Sequence, residues 1–341
     1  MNTKILIAVA ILLGLAAIGY SLLGSNSKVE FAARLGSPGD HSETARLPEL
    51  PMYIDFDQAN GRIVSKQDNG DIVAWDIKSG ARTELAKTRG LFAFCRDQQL
   101  LLLQEKEGVV LLDLKTGNRQ LINEDAYHHA AWSKDCSAFA IANQDDSKVK
   151  RWLMADLSNH IVIPTGRPVR NGIAISHQGN FIAAAEGTYT EKDGHKTKLE
   201  VFKIDDKGGF SRRSPKEDGP TILGMWTMAF APDSQTLVVG SQKNSKSGLR
   251  ALTTDSVGER WRQTDFASYW VRAIAISPDG KFLASGDEKG WLRIWDAANG
   301  SKLNEVQTGL VIQAASFSDD GGQLAIALWD STIGILDLQG F

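Results

Sequence analysis

The feature that most restricts this chain is a repeat. Strand-like segments end in an apolar residue followed by aspartate at Asp76 ("IVAWD"), Asp113 ("VVLLD"), Asp156 ("RWLMAD"), Asp205 ("LEVFKID"), Asp255 ("LRALTTD"), Asp296 ("WLRIWD") and Asp337 ("TIGILD"). The gaps between them are 37, 43, 49, 50, 41 and 41 residues. A spacing of roughly 40–45 residues is that of a four-stranded blade repeated around a ring. Several pairs run into a turn ("IKSG", "LKTG", "AANG"), where a short acid can accept hydrogen bonds from turn amides.

Upstream of each pair an alternating strand enters a tight turn and a small-residue strand follows. Examples are "AAWSKDCSAFAIA", "IAISHQGNFIAAA", "MAFAPDSQTLVVG" and "ASFSDDGGQLAIA". Seven such units read as strand a, turn, strand b, loop, strand c, turn, strand d. With 32 glycines and 9 prolines the composition suits many tight turns. The Ala, Gly, Val and Leu of strand b suit a middle strand covered on both faces.

Residues 277–296, "SPDGKFLASGDEKGWLRIWD", are the most regular copy. Their Ser277-Pro278-Asp279-Gly280, "LASG" and Trp295-Asp296 resemble the WD40 β-propeller family, with weaker echoes in Ala74-Trp75-Asp76 and "FAPDSQTLVVGS". The resemblance covers about residues 29–341. It implies an all-β, seven-bladed β-propeller whose strand c tryptophans Trp75, Trp152 and Trp295 pack between blades. The Gly-His pair usual before strand a is missing from all seven units, so the family's buried His-to-Asp network is not carried over. The pattern D-x-x-[ST]-G after strand c also resembles quinoprotein propellers.

Closure follows from the same pattern. The last unit stops soon after strand c, and residues 28–35, "KVEFAARL", belong to no other blade. They are expected to supply the missing outer strand, which removes the open edges.

Residues 5–23 carry no charge across nineteen positions. As a helix they span about 28 Å, close to a bilayer core. The expected layout is a transmembrane signal anchor with a short linker over 1–27 and the propeller over 28–341. A cleaved signal peptide is the alternative. Lys4 and the amino terminus favour an inside N-terminus, against Lys28, Arg34 and Arg46 on the far side. The propeller is therefore expected outside the cytoplasm, in the periplasm of a single-pass inner-membrane protein, or exported after cleavage.

No catalytic or nucleotide-binding motif appears. A net charge of −3 and loops of mixed charge give no nucleic-acid surface. Adjacent residues on a strand point to opposite faces, so His128-His129 is a poor chelate. No cofactor or metal is expected. Cys95 and Cys136, in equivalent a–b regions of neighbouring units, are read as isolated thiols, with a disulfide as the alternative in an oxidising compartment.

Binding is therefore expected at the channel mouth framed by the d–a and b–c loops. Alignment of strand a places Met52, Gly90, His128, Asn171, Trp226, Arg272 and Gln313 there, with Arg170 and Trp270 nearby. Tryptophan and arginine are enriched in interface hot spots. Residues 186–198, including Tyr189, and 241–248 read as long b–c loops, common carriers of function. The candidate protein-binding set is Trp226, Trp270, Arg272, Arg170, Asn171, His128, Gln313 and Tyr189. The expected role is a membrane-tethered scaffold or accessory subunit of a membrane or envelope complex. The alternatives are a quinoprotein-like or hydrolytic enzyme, or a small-ligand sensor.

Overall fold

The computed structural model describes residues 31–36, 50–88, 90–190, 194–213, 225–241, 248–264 and 270–338. The expected membrane anchor at 5–23 lies outside them. Among the described residues no helix is long and apolar enough to cross a membrane.

Seven four-stranded antiparallel sheets follow one another around a central channel. Blade six shows the plan: strand a (Val271–Ile276), b (Phe282–Asp287), c (Trp291–Asp296) and d (Lys302–Gln307). Blade seven is built from both ends of the chain. Its strands Ile312–Phe317, Gln323–Leu328 and Ile333–Asp337 are completed by Ala33–Leu35, with Arg34 opposite Gly334. The face carrying the d–a and b–c connections is called upper here, and the opposite face lower.

The core is the stack of blade-to-blade interfaces. Strand b of blade three, Ala138–Ala142, is buried along its whole length. Its residues alternate between two clusters: Phe139 and Ile141 pack toward blade two, Ala138, Ala140 and Ala142 toward blade four. A strand covered on both sides has no polar face, which is why these strands read as continuous small and aliphatic runs.

The strand c tryptophans are interior, as expected. Trp75 Nε1 donates to Ser65 Oγ and Trp295 Nε1 to Ser285 Oγ, both at 2.9 Å. Trp152 lies stacked between Phe139 and His160. Lower turns are tied in a recurrent way. Ser277 Oγ donates to Asp279 at 2.7 Å and accepts the Phe282 amide at 2.9 Å. Ser133–Asp135 and Ser318–Asp320 repeat the first contact.

Register corrects the repeat phase in three blades. Asp76, Asp113, Asp296 and Asp337 each sit opposite the first residue of strand b. In blades three, four and five that place is held by Leu153, Lys203 and Thr253, and the aspartate lies further along. The turn amides still find acceptors. Asp76 Oδ1 takes Ser79 N at 2.7 Å, and Asp205 Oδ1 takes Gly209 N at 2.8 Å. In blade five the Thr253 hydroxyl accepts the Gly258 amide at 3.1 Å.

Two further expectations change. Residues 186–198 are a long hairpin rather than a loop: Phe181–Thr190 pairs with Gly194–Ile204 as far as Thr190 opposite Gly194. Cys95 and Cys136 are a disulfide rather than isolated thiols, with Cα atoms 5.8 Å apart. Cys95 ends strand a of blade two and Cys136 lies in the a–b turn of blade three. Neighbouring blades converge toward the channel, which brings these two positions together.

Candidate functional site: the two mouths of the channel

On the upper face, Arg272 is the second residue of strand a in blade six, and Gln313 holds the same place in blade seven (Ile312–Phe317). Arg272 Nη1 lies 3.4 Å from Gln313 Oε1. Its guanidinium sits 5.2 Å from the Trp270 ring centroid and 5.4 Å from that of Trp329. A planar cation between two indoles is held by cation–π attraction and by packing. Gln313 is buried, while Arg272, Trp270 and Trp329 are half-buried. The cluster thus presents an amphipathic surface at the mouth. Trp329 is the member that sequence reading missed. Its signal was an indole closing the apolar strand b of the last blade.

The other candidates are placed separately. His128 is exposed, with Nδ1 3.2 Å from Asn143 Oδ1 and Nε2 3.2 Å from Gln144 Nε2. The adjacent His129 begins strand a of blade three. Burial, then the His128 charge, push its pKa down to about 4. Arg170 is exposed, and its side chain crosses Gly187 so closely that a Cβ there would lie 2.9 Å from Arg170 Cβ. The side chains of Asn171, Tyr189 and Trp226 lie outside the described residues. Their backbones run in Val169–Ile175, Phe181–Thr190 and Met225–Phe230.

Threonines close three of the d–a connections, which lack the Gly-His pair. Thr88, Thr165 and Thr308 hydroxyls each donate to a carbonyl two or three residues on, at 2.8 Å. In blade six the buried Asp287 accepts Arg293 Nη1 at 2.7 Å and the Lys289 and Trp291 amides. An arginine on strand c thus occupies the carboxylate.

The channel holds a cavity of about 480 Å³ lined by strand a of all seven blades and rimmed by lower-turn residues such as Arg96, Lys134 and His177. At this lower mouth Arg96 of blade two reaches across blade one. Its guanidinium is 2.7 Å from Asp319 of blade seven and 3.5 Å from Asp55 of blade one. Burial raises the Asp55 pKa, against the pull of Arg96 and a 2.9 Å bond from Ser316. Among the described residues no group of three or more His, Cys, Asp or Glu could hold a metal ion.

Comparison with known proteins fits this geometry. The WD domain, G-beta repeat (WD40) family matches residues 262–296, from the end of strand d in blade five through strand c of blade six. Small ribosomal subunit protein RACK1 of Medicago sativa is 39% identical over 72 residues, 21% of this chain and 22% of that protein. WD repeat-containing protein SL1-17 of Schistosoma mansoni is 32% identical over 114 residues, 33% of this chain and 36% of that protein. The matches span about a fifth and a third of these relatives' lengths. Among solved structures, U3-55K aligns with TM-score 0.67 at 14% identity, over 85% of this chain and 95% of that one. A chain of the mitotic checkpoint complex aligns with TM-score 0.67 at 14% identity, over 92% and 96%. At such identities the likeness is one of fold. The chain is a seven-bladed β-propeller with one stretch, residues 262–296, that matches the WD40 repeat.

Proposed function

We propose that this propeller is a non-catalytic scaffold that binds another protein through its upper face, as an accessory subunit of a membrane or envelope complex. The observation that carries the reading is Arg272 held between Trp270 and Trp329 at the channel mouth. Such a cluster is rigid, partly apolar and charged, the combination that concentrates binding energy in interfaces. RACK1 of Medicago sativa, similar over one stretch, is by its name a small ribosomal subunit protein. Tethering through residues 5–23 is part of the proposal, as is a place outside the cytoplasm. The Cys95–Cys136 disulfide favours that compartment, because such bonds persist where thiols are oxidised.

The test is purification of the full chain from solubilised membranes, with mass spectrometry of bait and companions. A stoichiometric subunit that is lost from Trp270→Ala and Arg272→Glu variants of unchanged melting temperature supports the reading. Absence of any companion, before and after cross-linking, overturns it.

The central cavity favours a second reading, a small ligand held in the channel. A melting-temperature shift on screening metabolites, lost on Arg96→Ala, would put that reading first.

A further inference from the structure

The observation lies in blade four, where the interface with blade three reaches the upper face. Glu186 on strand b and Glu200 on strand c are both buried, with 1% and 0% of their surface exposed. Strand alternation turns them, like Ile182, Ala184 and Phe202, toward blade three. The Gly166 amide, in the connection between blades three and four, donates to Glu186 Oε1 at 2.7 Å and lies 3.4 Å from Glu200 Oε2. Glu200 Oε1 takes Lys198 Nζ at 2.9 Å and Arg212 Nη1 at 3.1 Å. Glu186 Oε2 is buried without an acceptor's usual donor.

We propose that the Glu186–Glu200 pair shares one proton that latches the blade-four hairpin to the connection preceding it, and that loss of this proton releases the hairpin. Two carboxylates side by side cannot both ionise cheaply away from water. Two cations, Lys198 and Arg212, bond Glu200 directly. Lys198 and Arg212 hold Glu200 ionised, so the proton resides on Glu186 and its O–H faces Glu200. The buried Oε2 is then a donor, which explains why it lacks one. Burial first, and then the Glu200 carboxylate, push the Glu186 pKa up to about 7. Glu200 is shifted the other way, held down by Glu186, Lys198 and Arg212 against its own burial.

The other charged groups nearby do not change this sign. Arg170 on strand a packs on Gly187 through its stem. Arg167 belongs to the same connection as Gly166. Lys148 and Lys150 of blade three lie on the opposite face of their strand from Val149, which packs into the blade three–four core. Lys148 is spent on Asp146 at 2.6 Å. Glu200 is thus the one anion set against Glu186 among these groups.

The consequence is mechanical. The pair sits at the root of the hairpin, where Glu186 pairs with Lys198 in the backbone register. With one proton, the carboxyls and Gly166 form a closed set. With none, two buried anions repel and water must enter. The latch goes beyond the scaffold reading and stands whether or not a partner is found.

The experiment is hydrogen exchange on the full chain in mild detergent at pH 6 and pH 8, corrected for intrinsic rates. It follows the amides of Gly166 and of residues 186–188 and 196–198. Protection there should fall about tenfold or more at pH 8, since one unit past a pKa leaves about a tenth of the sites protonated. The Glu186→Gln variant keeps an N–H toward Glu200 and an oxygen toward Gly166 but cannot titrate. It should stay protected at both pH values. Equal protection of the wild type at pH 6 and pH 8 overturns the proposal, as does a Gln variant that keeps the pH response. Carbon-13 NMR of the Glu186 carboxyl gives an independent check. A midpoint below pH 5 has the same overturning force.

Discussion

Arg34 and Asp330, 296 positions apart, form an ion pair that pins the first described strand to the last blade. Asp330 is 1% exposed and also accepts the Thr332 amide at 3.1 Å. Arg34 Nε in turn donates to Thr332 Oγ1 at 2.9 Å. Three residues of strand pairing make a short closure, so this side-chain set carries much of its specificity.

Arg34→Ala should therefore destabilise the ring by about 1–3 kcal/mol, because it leaves a buried carboxylate short of its cation. The upper end of that range is discounted for Arg34's partial exposure. Urea unfolding measures the loss. Hydrogen exchange should show the amides of residues 33–35 opening well before those of blades two to four.

Removing the disulfide should cost more. Cys95 and Cys136 enclose a separation of 41 residues, for which chain entropy predicts about 4 kcal/mol. The Cys95→Ala/Cys136→Ala double variant should melt lower than the wild type. Melting of the double variant should be insensitive to reductant, and an unchanged melting temperature would exclude a stabilising staple.

Ser285→Ala should remove the 2.9 Å hydrogen bond of the buried Trp295 indole N–H. The cost of losing a buried bond of this kind is about 1–3 kcal/mol. Denaturant titration reads it, and Ser65→Ala should behave alike through Trp75.

The acid limb of stability should depend on His129. Its folded pKa is lowered to about 4, so between that value and the unfolded value near 6.5 the unfolded chain binds the extra proton. Stability is then full above pH 6.5 and falls as pH drops toward 4, by at most about 3 kcal/mol. His129→Gln should flatten that limb in a series of unfolding curves from pH 7 to pH 4.

The blade count was legible because each blade must punctuate its strands with turn residues, and Ser277-Pro278-Asp279-Gly280 does so in a form readable by eye. Phase was less legible. Lys203 and Thr253 hold the strand-ending place without looking like aspartate, since any side chain serves there once another group caps the turn. The hairpin of blade four was read as a loop because its polar run, "EGTYTEKDGHKTK", lacks the apolar alternation that marks a strand. That misreading also concealed Glu186 and Glu200, whose pairing depends on register across the hairpin. Trp270, Arg272 and Gln313 were found by aligning strand a. Trp329 enters the same cluster from a b–c turn, which that alignment does not sample. Cys95 and Cys136 required the inward convergence of neighbouring blades, a property of the ring and not of either segment.

The pairing of Ala33–Leu35 with Ile333–Asp337 also dictates an order of events during biosynthesis. The final sheet cannot form until residue 337 has left the ribosome. Throughout elongation the nascent chain holds a growing arc of blades with an unsealed strand edge at its newest end. Contacts of such long sequence separation form slowly. The interval before sealing is therefore when an unpaired strand edge, a template for pairing with another chain, stands open.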